Sequence, residues 1–394
     1  MKRWAILPAA AAAAAAVAAL ATAGSAGGTL RSGTATGSAA AIGASATTPS
    51  GSSVLIAMGH LRDPSNTFWE MFQRPAGASS WSLRTPPGVA SNGGLVLAAP
   101  PSGALTVGFL ISSDLKFSPV AQSTDGGEKW SPGELPSPLM AMPDALAVGP
   151  TGETLALVAT RGDRVLQTSG DLSTWRTLTS VPALSAAAPS CGVRGVTAVA
   201  YNDAAHPLLG LACSKKGEVG VLADTAPSST GPSTWRDIGL TLGPARGAAS
   251  VTRLVSTSDG IAGLGQVGSG NRTSIVAFWG SGSTDQWSGP TLFQVPGGWS
   301  VRATATGGGS GQSLAVLLAS GARRRVDVIA GPGASWMTLP PAPRGASGVA
   351  ADGAEVDTFV VTGTHLAVWA WTAGATDWSR TASITVPVPY GSSS

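Results

Sequence analysis

Residues 123–130 read Ser-Thr-Asp-Gly-Gly-Glu-Lys-Trp. In a tight turn, an Asp side chain can accept hydrogen bonds from the amides that follow it. Gly supplies backbone states that other residues avoid. The flanking segments, "SPVAQS" at 118–123 and "SPGELP" at 131–136, have the composition of short strands. The stretch therefore reads as a strand, a turn, and a second strand introduced by Trp130.

Tryptophan in this setting recurs along the chain. Trp81, Trp130, Trp175, Trp235, Trp287, Trp336 and Trp378 stand 49, 45, 60, 52, 49 and 42 residues apart, each after a polar turn and before a brief segment that often ends in Pro. Between successive tryptophans lie two or three short runs of Val, Leu, Ile and Ala separated by Gly-containing turns. Examples are "GGLVLAAPP", "ALTVGFLIS" and "SPVAQSTD" before Trp130, and "DALAVGP", "TLALVAT" and "RVLQTSG" before Trp175. Inner runs that are apolar almost throughout suit strands covered on both faces. A repeat of this length with four strands reads as one blade of an all-β, seven-bladed β-propeller of antiparallel blades. Two β-sandwiches, or six or eight blades, would carry the same tryptophans.

Ser123, Asp125, Gly127 and Trp130 match Ser-x-Asp-x-Gly-x-x-Trp in full. In this the chain, from about Ser52 to Tyr390, resembles the Asp-box (BNR) repeat proteins, the group that includes the sialidases. Ser169, Asp171 and Trp175 form a shortened variant, and Asp285 with Trp287 and Asp377 with Trp378 keep fragments. The resemblance implies that the Trp of each repeat is buried between neighbouring blades. For the first blade "SSVLIAMGH", "FWEMFQ" and "WSLRTPP" supply three strands. Its innermost strand must come from the residues before Ser52 or from the tail "ITVPVPYG", and the tail is favoured.

Composition narrows the class. Fifty-three glycines and 28 prolines with few charges suit turns and short strands and argue against helical bundles. The formal charge of +3 includes Lys2 and Arg3, so the rest of the chain is close to neutral and offers little drive toward nucleic acid. Residues 1–26 have a basic start and an Ala-rich apolar run, which is the pattern of a secretory signal peptide, with an uncleaved anchor as the alternative. Residues 27–51 are nearly all Gly, Ala, Ser and Thr and read as a flexible spacer, leaving 52–394 for the propeller. A secreted or cell-envelope location makes a disulfide between Cys191 and Cys213 the expectation, with two buried thiols as the alternative. His60, His206 and His365 stand at no ligand spacing to them, so no metal is expected. No cofactor motif is present, and a monomer is expected.

In a propeller, the turns between strands one and two and between three and four open on one side, where the Asp boxes sit. Binding gathers on the other. The blade-to-blade connections there carry Asp144, Arg194, Arg246, Trp299, Arg302 and Arg344. The turns between strands two and three add His60, Arg62, Asp63, Asp114, Arg161, Asp163, Lys215, Arg272, Arg323 and His365. Converging arginines can clamp an anion, and Trp299, after Pro296-Gly297-Gly298, is the tryptophan expected to be exposed. Sialidase resemblance would imply an arginine triad, a Tyr nucleophile, and a Phe/Tyr-Arg-Ile-Pro string. The nearest string is Phe72-Gln73-Arg74-Pro75, which reads as a turn, and the tyrosines are Tyr201 and Tyr390. For other glycosidases Asp144, Asp203, Glu218, Glu355 and Asp357 offer carboxylates, and nothing selects a pair. The expected function is non-enzymatic binding of polysaccharide or extracellular protein, with a glycan hydrolase as the alternative.

Overall fold

The computed structural model describes residues 40–385 except 48–52, 61–66, 76–77, 87–94, 99–103, 110–117, 136–142, 159–163, 169–170, 203, 227–232, 244–246, 270–271, 282–285, 308–311, 353 and 363–364. The strands fall into consecutive antiparallel units. Unit I holds β1 (Ala40–Thr47), β2 (Ser53–His60), β3 (Thr67–Arg74) and β4 (Ser82–Leu83). Unit II holds β5 (Leu95–Ala98), β6 (Leu105–Phe109), β7 (Ser118–Ser123) and β8 (Ser131–Leu135). Unit III holds β9 (Ala145–Val148), β10 (Thr154–Val158), β11 (Arg164–Thr168) and β12 (Arg176–Ser180), followed by the short helix α1 (Val181–Leu184). Unit IV holds β13 (Val193–Tyr201), β14 (Pro207–Lys216), β16 (Val221–Asp224) and β17 (Trp235–Asp237), with a side ladder of β15 (Glu218–Val219) and β18 (Leu240–Thr241). Unit V holds β19 (Ala248–Thr257), β20 (Gly260–Ser269), β21 (Arg272–Gly280) and β22 (Trp287–Gln294). Unit VI holds β23 (Ser300–Thr306), β24 (Leu314–Ser320), β25 (Arg323–Ile329) and β26 (Met337–Thr338). Unit VII holds β27 (Ala346–Asp352), β28 (Glu355–Thr362), β29 (His365–Thr372) and β30 (Ser379–Thr385). β14 also pairs with β19, through Ala212 opposite Ser250 and Lys216 opposite Ala248, and so joins units IV and V in one sheet.

Burial follows the apolar runs. Every residue of β10 is buried, as are Leu314–Leu318 of β24, whereas Met337 and Thr338 of the outer strand β26 are exposed. The core is a series of clusters, each lying between two successive units. Leu157 and Val165 of unit III pack with Val199 and Leu209 of unit IV, and Val276 and Phe278 of unit V pack with Val221 of unit IV. Ile275 of unit V joins Val316 of unit VI, and Ala315 of unit VI joins Val349 of unit VII. Units III to VII thus each bury both faces against their neighbours, the condition that makes inner strands apolar throughout.

The same link repeats between units. The Trp175 indole N–H donates to the Glu134 carbonyl on the outer strand of unit II, at 2.9 Å. Trp287 donates to the Ile238 carbonyl, Trp336 to Thr291 and Trp378 to Pro340, each acceptor in or just past the outer strand of the preceding unit. One hydrogen bond recurring from unit to unit means that equivalent ends of the units lie on the same side. The inner strands follow suit: β5 lies beside β1 and β9, β13 beside β9 and β19, and β27 beside β23 and β1. Between units V and VI, the Arg253 Nε–H on β19 donates to Thr304 Oγ1 on β23 at 2.7 Å. Burial draws that guanidinium down to about 10.

The last unit meets the first, and here two expectations are corrected. The tail does not supply the innermost strand of unit I, because its Ile384 and Thr385 belong to β30, the outer strand of unit VII. That inner strand is β1, within the segment expected to be a spacer. It is Ala, Gly, Ser and Thr apart from Ile42, and its backbone completes a ladder with β2 and lies beside β5 and β27. Residues 1–39, where the signal peptide is expected, lie outside the described residues.

Candidate functional site

The turn after β7 shows why its residues are needed. The Ser123 hydroxyl donates to Asp125 Oδ1 at 2.8 Å and accepts the Gly127 N–H at 2.7 Å. Asp125 Oδ1 also accepts the amides of Glu128 and Lys129 at 3.1 and 2.8 Å. Gly127 has φ +90°, a state closed to most side chains. The Trp130 indole donates to its carbonyl. In unit III, Asp171 accepts the amides of Ser173 and Thr174, and Leu172, at φ 54°, takes the left-handed position. The Leu172 side chain fills a space opposite Gly133 of unit II, where a Cβ would come within 2.2 Å of it. Asp377 caps the Trp378 amide. Asp224, which the spacing of the motif does not single out, accepts the amides of Ala226 and Thr234 in unit IV.

The Lys129 amide, then the Ser123 hydroxyl, hold the Asp125 carboxyl below its ordinary value of 3.8. A carboxyl lowered in the folded state stabilises above its unfolded pKa and loses that contribution as pH falls through the folded one. Asp125→Ala is therefore expected to lower the melting temperature at pH 7, with the gap from wild type closing below about pH 4. Ligand binding is expected to stay unchanged, because the turn lies opposite the strand-start side, the one where the blade-to-blade connections lead into the inner strands. A pH series of thermal melts checks the first point, and a gap that persists undiminished at low pH would count against the cap.

On the strand-start side the expected residues separate into two groups. Trp299 and Arg302 stand at the start of unit VI and Arg344 just before β27 of unit VII. The Trp299 ring is half-buried against the unit V–VI cluster, and the Arg323 guanidinium lies over it, 5.3 Å from the centroid. Trp299 is thus half-buried with a cation over its ring, where exposure was expected. Arg302, Arg323 and Arg344 are exposed. Arg324 is used internally, its Nε–H donating to the Ala346 carbonyl and so tying unit VI to unit VII. Arg194 is exposed in unit IV and Asp144 half-buried at the start of unit III, both away from this group. Arg246, Arg62, Asp63, Asp114, Arg161, Asp163 and Asp203 lie outside the described residues.

Of the residues that could serve hydrolysis, Tyr201, Glu355 and Asp357 are engaged within the fold. Tyr201 is buried, its ring beside Gly149, its hydroxyl accepting from Gln167 Nε2 at 3.0 Å. Burial pushes that phenol far above its usual range. Glu355 and Asp357 both receive Arg74, at 2.8 Å each. Asp237 accepts from the Ser190 hydroxyl and the Gly239 amide, and burial, then the charge of Asp237, raise the Glu218 carboxyl. Phe72-Gln73-Arg74 ends β3 and is no turn. Cys191 and Cys213 are joined as a disulfide, with Cα atoms 4.8 Å apart, at the strand-start end of unit IV. Among the described residues no group of three or more His, Cys, Asp or Glu could hold a metal ion.

No family model and no curated protein matches the sequence. Solved structures of propeller-like proteins are similar in fold. A protein from Lactobacillus plantarum superposes with TM-score 0.54 at 13% identity, over 85% of this chain and 97% of that one. YCF48 from Cyanidioschyzon merolae gives TM-score 0.48 at 11% identity, over 82% and 93% of the two chains. The SapL1 lectin, in complex with alpha methyl fucoside, gives 0.43 at 14%, over 88% and 97%. At these identities the likeness is one of fold alone. The chain is an all-β protein of curled antiparallel sheets in a propeller-like arrangement.

Proposed function

We propose that units I to VII are the blades of a closed seven-bladed propeller of the Asp-box kind, exported to the cell envelope, which acts as a non-enzymatic binding module for polysaccharide or protein. Closure is supported by the run of packed interfaces from each unit to the next and from unit VII back to unit I. Export is supported by the N-terminal pattern and the disulfide. The observation that carries the binding reading is the exposure of Arg302, Arg323 and Arg344 on the side where the blade connections converge, with Arg323 over the Trp299 ring. A binding role is favoured over hydrolysis because Tyr201 is buried and Glu355 and Asp357 hold a structural arginine. The test is a glycan and peptide array probed with the purified domain, wild type against Trp299→Ala and Arg302→Ala. Both variants are expected to lose the ligand that wild type retains. Undiminished binding by both would reject this side as the site.

A further inference from the structure

We propose that the strand-start side of units V to VII binds a linear polysaccharide bearing carboxylates, a uronate polymer, along a row of arginines. This deepens the binding reading and rests on it.

Units V to VII separate charge between their two sides, whereas the strand-start side of units III and IV carries Asp144, Glu218 and Asp237. On the Asp-box side the described turns carry Asp125, Glu128, Glu153, Asp171, Asp259 and Asp377. On the opposite side of units V to VII, the described residues of segments 242–247, 268–273, 295–302, 319–326, 339–348 and 361–366 include no Asp or Glu. They present Arg272 at the start of β21, Arg302 in β23, Arg323 at the start of β25 and Arg344 before β27, all exposed. None of the four makes an ion pair among the described residues. A surface of one sign attracts polyanions even on a neutral molecule, since screening confines charges of the far side.

Two local features prepare these cations for a planar anion. Arg302 sits at a β-bulge: Val301 pairs with Leu318 and Ala303 with Leu317, and Arg302 is left over. Bulges re-aim the side chain they displace. Arg323 rests on the Trp299 ring, and its Nη2 donates to the Ser320 hydroxyl at 3.4 Å, contacts that order an exposed guanidinium able to meet a carboxylate.

The choice of a glycan over a protein follows from what this side lacks. Protein partners anchor on apolar and aromatic hot spots. The exposed large apolar residues among those described are Leu83 and Met337, both on outer strands. A side offering charged donors unit after unit suits a polymer that repeats its carboxylate, because each further carboxylate binds at the high local concentration set by those already held.

The test is isothermal titration of the disulfide-intact domain with polygalacturonate, its fully methyl-esterified form and poly-L-glutamate, over a salt series. Wild type is expected to bind polygalacturonate, to lose affinity as salt rises, and to ignore the ester. Arg272→Gln/Arg302→Gln/Arg344→Gln, shown by its melting curve to be folded, is expected to bind at least about tenfold more weakly. Arg323→Gln alone should weaken binding without altering the melt. Undiminished binding in the triple variant overturns the site. Affinity for poly-L-glutamate equal to or above that for polygalacturonate overturns the glycan and leaves the binding reading standing. Silence of these polymers and of the whole array removes the binding reading itself.

Discussion

Arg74→Met is expected to cost about 3 kcal/mol or more of stability, because it strips a buried carboxylate of its cation. Arg74 ends β3 in unit I and reaches Glu355 and Asp357 on β28 of unit VII, at 2.8 Å each, with only 3% of the Asp357 side chain exposed. Its guanidinium also lies 5.5 Å from the Trp81 ring, whose edge meets Phe359. Every other junction between units is also spanned by the chain itself. This one joins the two ends of the strand order, and among the described residues side chains and the approach of β1 to β27 and β28 carry it. The comparison is Arg84→Met, which breaks the exposed pair with Glu128 across units I and II, where 57% of the Glu128 side chain is in water. That loss should be under about 1 kcal/mol. Urea unfolding of both variants measures the difference, and hydrogen exchange should show β1 to β4 opening first in Arg74→Met. A cost for Arg74→Met no greater than that for Arg84→Met would show that the seam is held by something else.

Cys191→Ala/Cys213→Ala is expected to lower stability by about 3 kcal/mol, the loop-closure value for a bridge of this span. The two residues are 22 apart and join the connection before β13 to the far end of β14. A Cβ at Gly220 would come within 2.7 Å of one sulfur and 2.9 Å of the other, so the bridge fills the space up to the chain entering β16. Ser214 and Lys215 also donate their amides to the Cys191 carbonyl, which sets the bridge among backbone hydrogen bonds. Melting with and without reductant, on wild type and variant, separates the bridge from the substitution. Wild type should fall toward the variant when reduced, and a variant melting with oxidised wild type would refute the assignment of stability to the bond.

The parts legible in the sequence are those settled within a few residues. The Asp125 turn, the left-handed glycine and the apolar inner runs each depend on neighbours close along the chain, and local chemistry writes them directly. The role of Arg74 is hidden because Phe72-Gln73-Arg74-Pro75 looks like a turn, whereas its partners lie 281 and 283 residues away. Trp299 looks exposed from its glycines, since nothing near it in sequence announces that Arg323 will cover it. Arg323 and Arg272 stand out in the sequence no more than the other loop charges. They gain weight from the absence of acids on one side of units V to VII, a property of a side and of no single motif.

What this sequence by itself determined is the unit: four short strands, a capped turn, and a Trp placed to reach the unit before it. Only the tertiary structure decided how the units meet at the ends, that an Ala-rich strand at 40–47 completes the first of them, and which cations share a side. The reason is physical. A strand of Ala, Gly, Ser and Thr with a single Ile has little apolar alternation of its own, so its place is selected by the ladder its partners offer, which does not exist until distant residues have packed.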